Sequence, residues 1–413
     1  MIAPSSYGAL SATSANTIQG HKPGFTMASS KKLGFKVGNI TYSEANPVLG
    51  GGNTTKDKIE SGTPKLFESS LRLNEFRVQG LTVSDFTVAT DYYDADGDGA
   101  HPTTPFTVVG GVSHKWFDRN GTEITDETKM VGCSGLSQPL TLKINLAAQS
   151  HSQYGDPRDS DPGGLEQRYQ IKAPTSGICF AKPNSLRYHN GVTPNITTGG
   201  GYNIAQFDPD NGFKASLSTK FPTTGFPGAE FTLVMIGNPT DYTFTHNGGV
   251  AVTVGTDGKV ILNSKPSGAV TITAIYNGTS HEYTFDPRMV WVVPKKNPAN
   301  SYGRYTYAEA KTVCGSESNI PTRADLTNSP QNNASQGWSY FANFYTRTVG
   351  GGVFGEWGYT NSSIYPGSQW VSSFNWYWAR EPYSSSDQFR VYSGYGRVAW
   401  SNASSGWYLA CLK

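Results

Sequence analysis

The sequence predicts a mainly β protein of several domains whose last hundred or so residues add short helices. Three observations carry this. The 413 residues exceed what one ordinary hydrophobic core organises, so two to four domains are expected. The chain holds 47 glycines and 24 prolines, with 13% aromatic and only 15% charged residues, a composition that suits short strands joined by turns. Apolar residues alternate over short runs along most of the length, the period-2 signature of half-buried strands.

Residues 1–16 are rich in Ser, Ala and Tyr and read as a linker. The opening Met1-Ile2-Ala3-Pro4 stretch lacks the basic and apolar regions of a signal peptide, so the chain is expected to be part of a larger exported polypeptide. Over residues 17–204 alternation recurs, as in Phe35-Lys36-Val37, Leu71-Arg72-Leu73 and Leu142-Lys143-Ile144-Asn145-Leu146. The expectation is one elaborated immunoglobulin-like sandwich or two small ones. Ser150 to Leu165 is polar and reads as an exposed loop. Within this region Asp94, Asp96 and Asp98 alternate ahead of Gly99, the spacing with which carboxylates wrap a calcium ion. The position of the closing bidentate glutamate is Pro105, so the site is a weak calcium candidate and a solvated turn is the favoured reading. No metal or other cofactor is expected.

Residues 205–295 form the clearest run of hairpin-connected strands. Phe231, Leu233 and Met235 alternate, as do Val250, Val252 and Val254. A Thr256-Asp257-Gly258 turn leads to Val260 and Leu262, and Gly268 precedes Val270, Ile272 and Ala274. This stretch resembles a bacterial immunoglobulin-like group 2 domain, and the resemblance implies a rigid spacer. The short junction through Pro294 favours a stiff orientation toward the C-terminal segment.

In residues 296–413, Thr306 with Glu309 and Thr322 with Asp325 each fit a capping box, in which hydroxyl and carboxylate satisfy orphan amides at a helix start. Tyr307, Ala310 and Cys314 then share one helical face. Seven of the nine tryptophans lie in this segment, among them Trp338, Trp376 and Trp378. Trp378, Phe389, Val391, Val398, Leu409 and Cys411 are expected to be buried. The segment resembles the C-type-lectin-like tip domain of bacterial intimin and invasin-type adhesins, the passengers of inverse autotransporters. The whole would then be tandem immunoglobulin-like β-sandwiches followed by a small α+β C-type-lectin-like domain.

Four cysteines allow three pairings. Sequence order favours Cys133 with Cys179 and Cys314 with Cys411, because each pair then lies within one expected domain. Loops of that size stabilise a fold by about 4–5 kcal/mol in the chain-entropy model. The alternative is four buried thiols.

The resemblance implies a function in binding. Between Trp338 and Tyr395 the chain is dense in Tyr, Trp, Ser, Gly and Asn, the composition of antibody paratopes. Candidate partner-binding residues are Trp357, Tyr359, Tyr365 and Trp370 on a long loop, and Arg380, Glu381, Tyr383, Asp387, Arg390, Tyr392, Tyr395 and Arg397 on the strand ends after Trp378. Aromatics and Arg are the usual hot-spot residues of protein interfaces. The implied partner is a host cell-surface or secreted protein, such as an integrin-like receptor, an immunoglobulin or another glycoprotein, met by a monomer displayed on a bacterial surface. Glycan recognition is the alternative. Calcium-dependent lectins of this fold use a Glu-Pro-Asn or Gln-Pro-Asp turn and a later Trp-Asn-Asp, whereas this chain has Glu381-Pro382-Tyr383 and Trp400-Ser401-Asn402, which departs at ligand positions. A phage or variable surface receptor-binding protein is a third reading. A net charge of +2 without a basic block argues against nucleic acid. The nucleophile-elbow, zinc-protease, P-loop and dinucleotide motifs are all missing from the sequence, and no enzyme activity is expected.

Overall fold

The computed structural model describes residues 20–45, 55–299, 303–330 and 343–413. The expected linker at 1–16 and Trp338 lie outside the described residues. The class is mainly β, in several sheets, with short helices in the C-terminal part whose sequence resembles a lectin-like tip. Among the described residues no helix is long and apolar enough to cross a membrane. The chain divides into two compact units, Met1–Pro174 and Thr175–Lys413.

In the first unit the longest strands, Phe106–Phe117, Leu140–Ser150 and Leu165–Lys172, pair antiparallel at the centre of a five-stranded sheet. Leu140–Ser150 alternates strictly between buried and half-buried positions, which is what its sequence dictates when one face meets a core. A four-stranded sheet, ordered Thr55–Lys58, Ile40–Ser43, Gly34–Val37, Arg77–Gln79, supplies further strands. Phe35, Phe76, Trp116 and Tyr169 join the inward residues of Leu140–Ser150 in one hydrophobic cluster, with Phe76 and Trp116 edge to face at 5.2 Å.

Asp91 is the buried polar anchor of this unit. Its carboxylate accepts from Ser29 Oγ at 2.9 Å, Lys32 Nζ at 2.8 Å, Thr87 N at 2.7 Å and Thr90 Oγ1 at 2.8 Å. Burial works to raise its pKa, but donation from Lys32, Thr87, Thr90 and Ser29 outweighs it and holds the carboxyl below its ordinary value of 3.8. A carboxylate with a depressed folded pKa stabilises fully above the unfolded value, and that stability is lost as pH falls through the folded value. Asp91→Asn is expected to cost about 1–3 kcal/mol near neutral pH and to flatten the loss of stability below pH 4. Urea unfolding at a series of pH values checks this, and parallel wild-type and variant curves refute it.

The second unit begins with a six-stranded sheet in the order Phe207–Asp208, Gly212–Lys214, Ile178–Pro183, Ala229–Met235, Lys259–Leu262, Val252–Val254. Against it lies the three-stranded sheet Thr243–His246, Val270–Tyr276, Thr279–Phe285, whose Ile272, Ala274 and Tyr283 share a core with Phe231, Leu233, Val260 and Leu262. Gly258 takes φ +78°, as the expected turn requires. Two points differ from the sequence reading. Ile178–Pro183, assigned there to residues 17–204, hydrogen-bonds to Ala229–Met235 and belongs to this unit. Val250 is no strand residue: it sits in the 3₁₀ turn Gly249–Ala251 and is 95% exposed.

Val290–Lys295 pairs parallel with Thr224–Gly225 on one side and antiparallel with Leu409–Leu412 on the other. One strand therefore serves both the immunoglobulin-like part and the lectin-like end. Both capping boxes form. Thr306 N donates to Glu309 at 2.7 Å and opens helix Tyr307–Cys314; Thr322 N donates to Asp325 at 2.7 Å and opens Arg323–Leu326. The terminal sheet is ordered Trp376–Pro382, Asp387–Tyr392, Val398–Asn402. Strand alternation sends Tyr377 toward Phe354 and Trp370, and Trp378 toward Tyr305, Tyr307 and Leu409, so both faces of this strand are covered. All six residues expected in this core are buried. Cys314 is bonded to Cys411 across 5.4 Å between Cα atoms, and Cys133 and Cys179 are also disulfide-bonded.

Candidate partner-binding surface

The residues that hold the lectin-like end to the immunoglobulin-like part decide which candidates remain free for a partner. Helix Gly352–Trp357 is buried along its whole length. Glu356, fully buried, accepts the backbone N–H of Thr223, Thr224 and Gly350 and the hydroxyls of Thr223 and Thr224. Burial pushes its carboxyl above the ordinary range while those donors oppose the shift. Arg347, fully buried, donates to the carbonyls of Ser185, Arg187, Gly355 and Glu356 and lies 4.6 Å over the Phe207 ring. Gly228, at φ +79°, meets Gly367 so closely that a Cβ would stand 2.1 Å from the Gly367 carbonyl carbon. Two modules are thereby fused into one body.

This fusion corrects part of the expected binding set. Trp357, Tyr365 and Trp370 have no exposed surface. Phe226 meets the three rings at 5.3, 5.4 and 5.4 Å, and Trp357 Nε1 donates to Thr224 O at 3.1 Å. Their loop is long and aromatic because it fills the junction, so these residues cannot touch a partner. Arg390 is buried as well, flanked by Trp376 at 4.5 Å and Trp407 at 3.8 Å.

The remaining candidates fall at opposite ends of strand Asp387–Tyr392, about 17 Å apart at ~3.3 Å per residue. At the hairpin end, Glu381 accepts Arg323 N at 3.0 Å and thus caps a helix. Arg380 donates to Ser318 O at 3.1 Å, and Asp387 takes the Ser384 hydroxyl at 2.8 Å. Tyr383 stacks on Trp400 at 4.7 Å and is 47% exposed. At the other end Tyr392, Tyr395 and Arg397 are half-buried. Tyr395 meets Tyr359 at 5.1 Å, and Tyr359 packs edge to face on Phe374 at 4.6 Å. Burial, and then the hydrogen bond with Tyr395, raise the Tyr359 hydroxyl well above its ordinary range.

Residues that the sequence reading passed over complete this second end. His189 packs on Tyr395 at 4.5 Å and on Phe344 at 4.0 Å, and burial followed by the Arg397 charge lowers its pKa below 6.5. A cleft of about 860 Å³ runs alongside, lined by residues 184–188, Pro209, Tyr359, Ile364 and Phe374. The run Leu186-Arg187-Tyr188-His189 is aromatic and basic enough to have drawn notice, but only the junction brings it beside the lectin-like loops.

In the first unit, Asp94, Asp96 and Asp98 each bring a carboxylate oxygen within 4.8 Å of the others. Asp94 Oδ1 accepts Asp96 N at 2.9 Å and Asp98 N at 3.3 Å, and His21 Nδ1 pairs with Asp96 at 2.9 Å. These bonds are those of a self-capped turn.

Residues 202–285 match the family described as invasin, domain 4, over nearly the stretch that resembles a group 2 spacer. No curated protein sequence matches the chain. Among solved structures, the chain is similar to invasin, described as a bacterial integrin-binding protein. The identity is 17%, covering 74% of this chain and 58% of that one, with a TM-score of 0.39. It is also similar to a C-terminal 282-residue fragment of intimin in complex with the intimin-binding domain of the translocated intimin receptor. There the identity is 16%, the coverage 73% and 86%, and the TM-score 0.34. An intimin mutant from EHEC O157:H7 aligns at 19% identity over 47% of this chain and 89% of that one, with a TM-score of 0.31. The chain thus spans 58% of the length of the invasin structure. What the comparisons show of this chain is thus one segment, residues 202–285, of the invasin domain 4 family.

Proposed function

We propose that this chain is part of a bacterial cell-surface adhesin that binds a host cell-surface or secreted protein through its lectin-like end, with the immunoglobulin-like parts as rigid spacers. The observation that carries the reading is the half-buried Tyr359, Tyr392, Tyr395 and Arg397 group, set on a body that Arg347 and Glu356 hold rigid. Rigid aromatic and guanidinium groups bind protein surfaces at low entropy cost. The invasin-type domain supports the same class of function. The described invasin binds integrin, and the intimin fragment is bound to its translocated receptor; a host protein is the corresponding class of partner here. A calcium-dependent sugar site is disfavoured because the Glu381 carboxylate already accepts the Arg323 amide.

Fluorescently labelled chain is expected to bind cultured epithelial cells in flow cytometry, with binding abolished by trypsin treatment of the cells and unchanged by sialidase or a calcium chelator. Tyr395→Asp is expected to lower binding at least tenfold while the chain still unfolds in one cooperative transition, because the ring is only half-buried and lies outside the fully enclosed core. Binding that survives trypsin, or a Tyr395→Asp chain that binds normally, counts against the proposal.

A further inference from the structure

The surface around Tyr395 is unbalanced in charge. The Arg187 guanidinium lies 5.7 Å over the Tyr359 ring, and the Arg397 guanidinium lies 5.4 Å over Tyr395 and 4.9 Å over Phe344. With the 5.1 Å contact between the two tyrosines, this forms a continuous Arg–Tyr–Tyr–Arg ladder. Among the described residues neither guanidinium has a carboxylate or hydrogen-bond partner, and Arg397 Nε is buried without an acceptor. Two carboxylates of the same unit are already engaged: Asp208 accepts the N–H groups of Asp210 and Asn211, and Glu230 pairs with Lys259 at 2.9 Å.

A guanidinium seated on an aromatic face has one side desolvated and its orientation fixed, while its in-plane N–H donors stay free. Such a group is matched by a carboxylate, which accepts two parallel N–H bonds. Beside the ladder, the 860 Å³ cleft offers Leu186, Tyr188, Pro209, Ile364 and Phe374 as apolar lining. Apolar cleft and unpaired arginines together ask for an apolar residue flanked by acids.

We infer that this cleft takes a segment of the partner protein in which Asp or Glu side chains flank an apolar or aromatic residue, the carboxylates pairing with Arg187 and Arg397. The inference rests on the adhesin reading above for the identity of the partner as a protein. It does not rest on it for the chemistry of the cleft.

The test uses the whole chain and a labelled probe peptide, acetyl-Glu-Leu-Trp-Leu-Glu-amide, against its Gln-for-Glu counterpart, read by fluorescence anisotropy at low salt. The acidic peptide is expected to bind at least tenfold more tightly than the neutral one. The double variant Arg187→Ser/Arg397→Ser should reduce it to the neutral level while the chain stays folded, whereas Arg168→Ser, at an exposed arginine of the first unit, should leave it unchanged. Equal binding of the two peptides, or an unaffected double variant, overturns the inference. So does binding of sialyllactose, but not of the acidic peptide, that depends on the two arginines, which would make the ligand an acidic glycan. If the peptide results hold and the double variant binds cells as wild type does, the cleft is not the adhesive contact and the inference falls while the adhesin reading stands. If they hold and wild type shows no trypsin-sensitive cell binding, the adhesin reading falls and the carboxylate site stands.

Discussion

Trp357→Asp is expected to abolish cooperative folding of residues 175–413. The indole is fully buried, packed against Phe221 at 4.8 Å, Phe226 at 5.3 Å and Tyr365 at 5.8 Å, and its N–H is spent on Thr224. Truncating a buried Trp costs about 3–5 kcal/mol through lost transfer energy and the cavity left behind. An unpaired carboxylate in that cavity costs several more, so the total rivals the ~5–15 kcal/mol by which a domain is stable at all. Near-UV circular dichroism and limited proteolysis check this: the variant should lose the tertiary signal of its aromatic core and be cut between residues 175 and 413 where wild type resists. A folded variant with a wild-type midpoint would show that the junction is not part of the core. The contrast with Tyr395→Asp is the informative pair, because both are aromatic positions of the C-terminal part and only one is available to a partner.

That contrast also marks what sequence reasoning reached. Periodicity exposed the alternating strands at Phe231–Met235, Val260–Leu262 and Val270–Ala274, and spacing exposed both capping boxes, because these signals are local and depend on few residues. The composition of the loops after Trp338 was legible too, but composition does not say which side of an aromatic residue faces water. Trp357, Tyr365 and Trp370 look like paratope residues and act as core, because Phe221, Phe226 and Phe231 arrive from a segment more than a hundred residues earlier in the chain to cover them. Arg187 and His189 were missed for the converse reason. They belong to a loop that carries no periodic signal, and they join the surface through distant partners: Arg347 and Tyr345 hold the Arg187 carbonyl, and Gly201 N holds that of His189. Glu356 escaped notice as an ordinary helical acid; nothing near it in sequence reveals that Thr223 and Thr224 supply its donors.

Removing the Cys314–Cys411 disulfide is the second change with a large expected effect. The bond spans 97 residues of sequence, and closing a loop of that size lowers the entropy of the unfolded chain by an amount worth about 4–5 kcal/mol in the loop-closure model. It ties helix Tyr307–Cys314 to the final strand Leu409–Leu412, and that strand in turn pairs with Val290–Lys295. The Cys314→Ser/Cys411→Ser chain is therefore expected to unfold about 8–20 °C below wild type, taking about 2–4 °C per kcal/mol for a unit of this size. Reductant, which also reduces Cys133 and Cys179, should bring wild type to that midpoint or below it, while a shift under about 2 °C in the double variant would deny the Cys314–Cys411 bond a structural role. The cluster around the disulfide comprises Tyr305, Tyr307, Ile320, Trp378 and Leu409, whereas Tyr359 packs on the core shared with the immunoglobulin-like part. Cell binding by the double variant, measured well below its midpoint, should therefore match wild type: the covalent tie sets how long the binding end persists, and the Arg347–Glu356 junction sets its shape.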